Sequence, residues 1–110
     1  MVRPKAADTN QPPIFSSLAG DPDFAEILPF FIDELPSKIA ELSELGDRND
    51  FESIRREAHK LKGSAGGYGF QGLTALASQL EESCKNAPRN EAAILQILDE
   101  LLDHLQRVKI

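Results

Sequence analysis

Three residues in close succession, His59, Lys62 and Gly63, are of the types and spacing that could do chemistry together. An imidazole has an ordinary pKa of about 6.5, so near neutral pH much of it is unprotonated and nucleophilic. A lysine three positions further along a helix shares its face, and its flexible ammonium reaches whatever the ring carries. Gly63 follows one turn after the histidine, where any side chain would stand in the way of an approaching molecule. Glycine costs a helix roughly 1 kcal/mol relative to alanine. Its presence there suggests that something large must come close to His59. Close packing between helices is the other reading of such a glycine, but the outward direction of this one speaks for clearance.

That direction follows from the surrounding stretch, FESIRREAHKLKGSAGGY at residues 51–68. Phe51, Ile54, Ala58, Leu61, Ala65 and Tyr68 recur at steps of three and four and predict one apolar helical stripe. His59 points away from that stripe, and Gly63 and Gly67 lie one and two turns beyond it on the same outer face. The segment 51–67 carries four basic and two acidic side chains in a chain of net charge −6. Arg55, Arg56 and Lys60, with Lys62, therefore make a locally basic docking surface suited to an acidic pocket, unless they are an ordinary solvated face. Ser64 is expected to bond its own helix backbone. Gly66, Gly67 and Gly69 read as a helix-ending device.

The run Ala58-His59-Lys60-Leu61-Lys62-Gly63-Ser64-Ala65 resembles the active-site signature of histidine-containing phosphotransfer (HPt) domains, the carriers of phosphorelays. Tyr68-Gly69-Phe70, Leu73, Leu80 and Glu81 continue that pattern, and the resemblance covers about residues 14 to 108. It implies that His59 accepts a phosphoryl group on Nε2 from a receiver-domain phosphoaspartate and passes it to another receiver aspartate. Lys62 would neutralise part of the phosphoryl charge, and Gly63 would leave room for docking. The residue that orients His59 would come from the following helix, with Glu81 the first candidate by alignment on Leu80-Glu81, and Ser78 or Gln79 nearby. The implied partners are response-regulator receiver domains and a hybrid histidine kinase. The receiver would bring the aspartate and Mg²⁺, so the domain itself would need no cofactor and would be a carrier without autonomous catalysis.

Two other readings compete. A helical adaptor that binds a receiver or kinase without carrying phosphate would need neither His59 nor Lys62. The dimerisation and phosphoacceptor hairpin of a histidine kinase would have an acidic residue directly after its histidine and only two helices. This chain has Lys60 there and four helical segments.

The elements that must position these residues are legible along the chain. Its 110 residues suit one domain, and a 41% hydrophobic fraction can supply one core. The acidic balance argues against nucleic acid and anionic membranes as partners. No apolar run approaches the about 18 residues of a membrane span. A single cysteine, Cys84, excludes an internal disulfide and fits a reducing compartment, so the cytoplasm is expected. Cys84 itself reads as a small buried hydrophobe. His59, Cys84 and His104 lack the spacing of a metal site, and His104 reads as a surface or helix-end residue.

Residues 1–13 are polar and proline-bearing, and are expected to be a disordered leader or linker before a domain at 14–110. Ile14, Phe15 and Leu18 suggest a short helical turn closing one end of the core. Asp21-Pro22 starts a helix, as N-cap and first helical residue. Phe24, Leu28, Phe31, Leu35, Ile39, Leu42 and Leu45 mark its apolar face down to Gly46. Pro29 and Pro36 interrupt it, so either a kinked helix or a short helix followed by a longer one is expected. Asn49 or Asp50 caps the His59 helix. Further helices are predicted over about 71–86 and, capped by Asn90, about 91–108. The fold class is therefore all-α: an antiparallel four-helix bundle with a short N-terminal helical turn packed on one end.

Overall fold

The structure, a computed structural model, describes residues 12–109. The described residues form five helices, with a single isolated β-bridge and no strands. A four-residue helix α1, Pro22–Ala25, precedes the four long ones. These are α2, Leu28–Asp47; α3, Phe51–Gly67; α4, Gln71–Lys85; and α5, Glu91–Arg107. The expected leader falls on residues outside the described ones except for Pro12 and Pro13.

Three of the five helix starts, those of α1, α3 and α5, follow from a local donor problem. The first backbone N–H groups of a helix have no helical acceptor, and a short polar side chain supplies one. Asp21 Oδ1 accepts from Asp23 N at 2.9 Å, with Pro22 following it. Asp50 Oδ1 accepts from Ser53 N at 3.2 Å, and Asn90 Oδ1 from Ala93 N at 3.1 Å. Asp50 is thus the cap of α3, while Asn49 takes the left-handed turn conformation at φ 54°.

The two prolines of α2 act differently. The chain breaks between Ala25 and Leu28, and Pro29 then sits in the first turn of α2, where its missing N–H has no helical partner to lose. Of the two expectations, a short helix followed by a longer one is realised. Pro36 lies inside α2, which continues through it on an exposed side.

The bundle closes because each long helix has an apolar stripe that only its neighbours can cover. Helix α2 packs on α3 and α5, and α4 packs on the same two. Ile54, Ala58, Leu61 and Ala65 of α3 are buried with Leu73, Ala77 and Leu80 of α4 in one core that also takes in the leucine-rich face of α5. Cys84 is buried in the same core.

The N-terminal segment corrects one expectation. Ile14 does not begin a helical turn. It pairs in parallel with Val108, donating to Arg107 O and accepting from Lys109 N, both at 2.8 Å. Phe15 is exposed, and residues 17–20 form a turn instead. The physical reason lies in the partners on offer. Ser16 Oγ donates to Tyr68 O at 2.5 Å, and Ser17 N donates to Gly69 O at 2.9 Å. These extended contacts satisfy the backbone of both the segment and the α3–α4 turn, which a helical turn would leave unpaired. Val108, read from its periodicity as the last residue of α5, is drawn out of the helix by the same bridge. The short helical element of the fold is α1.

His104 is also more enclosed than a surface residue. It lies in the last turn of α5, half-buried, with its ring against the backbone of Gly72 on α4. Burial there, with the nearby Arg107 charge, holds its pKa below the ordinary value.

Candidate functional site

His59 occupies the middle of α3, between the buried Ala58 and Leu61 of the next turn. The stripe that buries those two turns the imidazole outward, and its side chain is 66% exposed. Glycines 63 and 67 continue that outer face. A Cβ built on either would meet nothing within 4 Å, so neither is glycine for packing reasons. Gly66 differs, since a Cβ there would stand 3.3 Å from Thr74 Oγ1 of α4. Gly67 is both the last residue of α3 and part of the bare surface.

Beneath the imidazole lies a carboxylate. Glu81 of α4 is only 2% exposed, and its two oxygens point at α3. Oε2 is 2.8 Å from His59 Nδ1, and Oε1 is 2.8 Å from Lys62 Nζ. Lys85, one turn further along α4, brings its Nζ to 3.5 Å from Oε2, and to 3.6 Å from Oε2 of Glu82. Burial pushes the Glu81 pKa up, but Lys62 above all, then the His59 hydrogen bond and the Lys85 charge, lower it from 4.5 to about 2. Glu81 is therefore ionised at neutral pH and can only accept a hydrogen bond. The proton of the shared bond must then sit on Nδ1. A neutral His59 so held presents the lone pair of Nε2 to the outside.

The structure thus brings together His59, Lys62 and Glu81. It does not bring Ser78, which is half-buried elsewhere on α4 and makes no hydrogen bond to the ring; Gln79 is exposed. Lys62, expected to reach a phosphoryl group on His59, is paired with Glu81. The stretch expected to form a docking surface is less basic than a count of side chains suggests. Arg55 pairs with Glu52 and Lys60 with Glu57, each three residues back on α3. Arg56 donates to Ser53 Oγ at 3.1 Å and has no acidic partner among the described residues.

Two residues at the site are not singled out by sequence patterning. Lys85 is one, although its position four residues after Glu81 is the spacing of a helical ion pair. Phe30 is the other. It stands 68% exposed on α2, off the apolar stripe, at the edge of a cleft of about 280 Å³ between α2 and α3. Phe31, Tyr68, Glu34, Lys38 and Lys60 also line that cleft. Its floor is firm, because Phe31 stacks on Tyr68 and Phe70 with ring centroids 4.9 and 5.4 Å apart. Exposed apolar surface beside a reactive group is where a partner protein gains contact area.

Among the described residues, no three His, Cys, Asp or Glu side chains are placed to hold a metal ion, and no helix is long and apolar enough to cross a membrane. A family model described as "Hpt domain" matches residues 26–109. No curated protein and no solved structure matches the chain.

Proposed function

The chain belongs to the Hpt domain family, the histidine phosphotransfer carriers of phosphorelays, and from that premise we propose that His59 is the phosphoacceptor, loaded by one receiver domain and discharged to another. The observation that carries this reading is an outward Nε2 whose ring is fixed through Nδ1 by a buried, ionised Glu81.

In the forward step the Nε2 lone pair attacks the phosphorus of a receiver phosphoaspartate. The P–Nε2 bond forms as the P–O bond to the aspartate breaks, and the aspartate leaves with that electron pair as a carboxylate. The ring keeps its Nδ1 proton and becomes positively charged, a charge that the Glu81 carboxylate offsets at 2.8 Å. The reverse step uses the same atoms, so the group can pass on to a second receiver. Such transfer asks mainly for positioning and charge neutralisation. The receiver, or the receiver domain of a hybrid kinase, brings the aspartate and its Mg²⁺, which neutralises charge on the phosphoryl oxygens. This chain brings the oriented imidazole, the nearby Lys62, and a surface kept bare by Gly63 and Gly67. Phe30 and the α2–α3 cleft offer the partner apolar contact, and Arg56 offers an exposed positive charge. A carrier of this kind is not an enzyme in its own right. A single buried cysteine is in keeping with a cytoplasmic setting.

The test is incubation with phosphorylated receivers, followed by a search for acid-labile phosphate on this chain. His59→Gln should keep the helical signal, because the site is exposed, and lose all label. Label retained on that variant, or found on His104, would overturn the assignment. A wild-type chain that binds a receiver but takes no phosphate from it would be a helical adaptor instead.

A further inference from the structure

Building on that reading, we propose that Lys85 is a further positioning residue of the site, a second cation that holds Glu81 so that Lys62 can turn to the arriving phosphoryl group. The argument begins with a conflict of duties. Lys62 lies three residues beyond His59 on α3, so it is the lysine in reach of a group on Nε2. Its ammonium is nonetheless occupied, 2.8 Å from Glu81 Oε1. Glu81 is 2% exposed and cannot turn to water if Lys62 leaves. A buried carboxylate stripped of its cation is strongly penalised. His59 cannot take over that duty alone, because a neutral ring offers one hydrogen bond and no full charge.

Lys85 resolves the conflict. It comes from α4, the helix of Glu81 itself, and lies 3.5 Å from Oε2, the oxygen that His59 also uses, while Lys62 holds Oε1. At 47% exposure it has room to close that gap. Its other neighbour, Glu82, is at 3.6 Å and itself exposed, so it holds Lys85 only weakly. Arg55 adds a more distant positive charge that acts on Glu81 while pairing with Glu52. As the phosphoryl group arrives, Lys62 moves from Oε1 toward the phosphoryl oxygens and Lys85 tightens onto Glu81. The carboxylate stays ionised, stays in place, and keeps the Nδ1 hydrogen bond that aims Nε2. The transfer itself is unchanged: P–Nε2 forms, P–O breaks, and the aspartate carboxylate departs.

The experiment is a double-mutant cycle on phosphoryl transfer from a phosphorylated receiver under single-turnover conditions. Lys85→Ala should lower the maximal rate about two- to fivefold, the size of one partly exposed ion pair, and leave the half-saturating receiver concentration unchanged. Lys85→Arg should restore the rate. In a Lys62→Ala background the Lys85→Ala change should cost more than it does alone, because Glu81 then keeps neither lysine. A Lys85→Ala rate equal to wild type would overturn the inference. So would losses that simply multiply in the double variant, which would mark Lys85 as a remote charge. If the wild type is labelled and the Lys85 variants are flat, this inference alone fails. If no receiver labels the wild type, it falls together with the phosphoacceptor reading.

Discussion

Replacing Glu81 by Gln removes one negative charge from the buried side of the site and keeps the shape. Its clearest consequence is a change in how stability depends on pH. In the folded chain Lys62, His59 and Lys85 lower the Glu81 pKa from 4.5 to about 2. A depressed carboxylate pKa contributes stability above the unfolded value, and that contribution is lost as pH falls toward the folded one. At about 1.4 kcal/mol per unit the full contribution is at most about 3 kcal/mol, because Lys62 and Lys85 are partly in water, where salt screens them. Linkage places up to about 2 kcal/mol of the loss between pH 6 and pH 3. The Gln variant has no such group to titrate, and every other carboxylate is common to both proteins. The stability of wild type relative to Glu81→Gln should therefore fall by up to about 2 kcal/mol over that interval. The sign of the difference at pH 6 is secondary, since removing a buried charge also relieves its desolvation. Urea titrations followed by the helical signal at the two pH values measure both gaps. A gap that does not change with pH would refute the claim that Glu81 is held ionised by its neighbours.

Leu61 is 2% exposed beneath the site, so Leu61→Ala should cost about 2–5 kcal/mol in a denaturant titration; a cost below about 0.5 kcal/mol would mean that α3 faces the other way. Gly63→Ala adds a methyl to open space within a helix and should stabilise by roughly 0.4–1 kcal/mol. Gly63→Gln should leave the fold intact yet slow transfer from a receiver, and a wild-type rate would end the clearance argument. Gly69 has φ +84°, and a Cβ there would lie 2.5 Å from Ser16 Oγ and 2.9 Å from Leu18 Cγ. Gly69→Ala should therefore lower stability by about 1–3 kcal/mol, and unchanged thermal unfolding would show that the N-terminal segment is not seated there.

What the sequence made legible was whatever repeats along a helix. The stripe at Ile54, Ala58, Leu61 and Ala65 is buried as its spacing predicts, and the outward direction of His59 follows from it. Caps are equally local, and Asp21 and Asn90 stand where a donor lacks a partner. Asn49 and Asp50 were not separable in the sequence, because either can cap; the left-handed turn at Asn49 leaves the task to Asp50. The contact between Glu81 and His59 spans two helices, and no periodicity reports it. Family resemblance pointed to that carboxylate, but not to Lys62 being held by it. The pairing of Ile14 with Val108 was illegible for a related reason. Both ends of that bridge read as helical by local pattern, and only the closed bundle brings them together.

That bridge also settles how the domain takes mechanical load. Ile14 and Val108 run in parallel, so a pull through Pro12 and Lys109 draws the two bridged segments along each other. The hydrogen bonds from Ile14 N to Arg107 O and from Lys109 N to Ile14 O then strain together, in shear, where an antiparallel pair of ends would unzip one bond at a time. The tension crosses directly between the segments at Ile14 and Val108. It bypasses the helices between them, so His59 and the carboxylate beneath it keep their geometry while the domain is tugged.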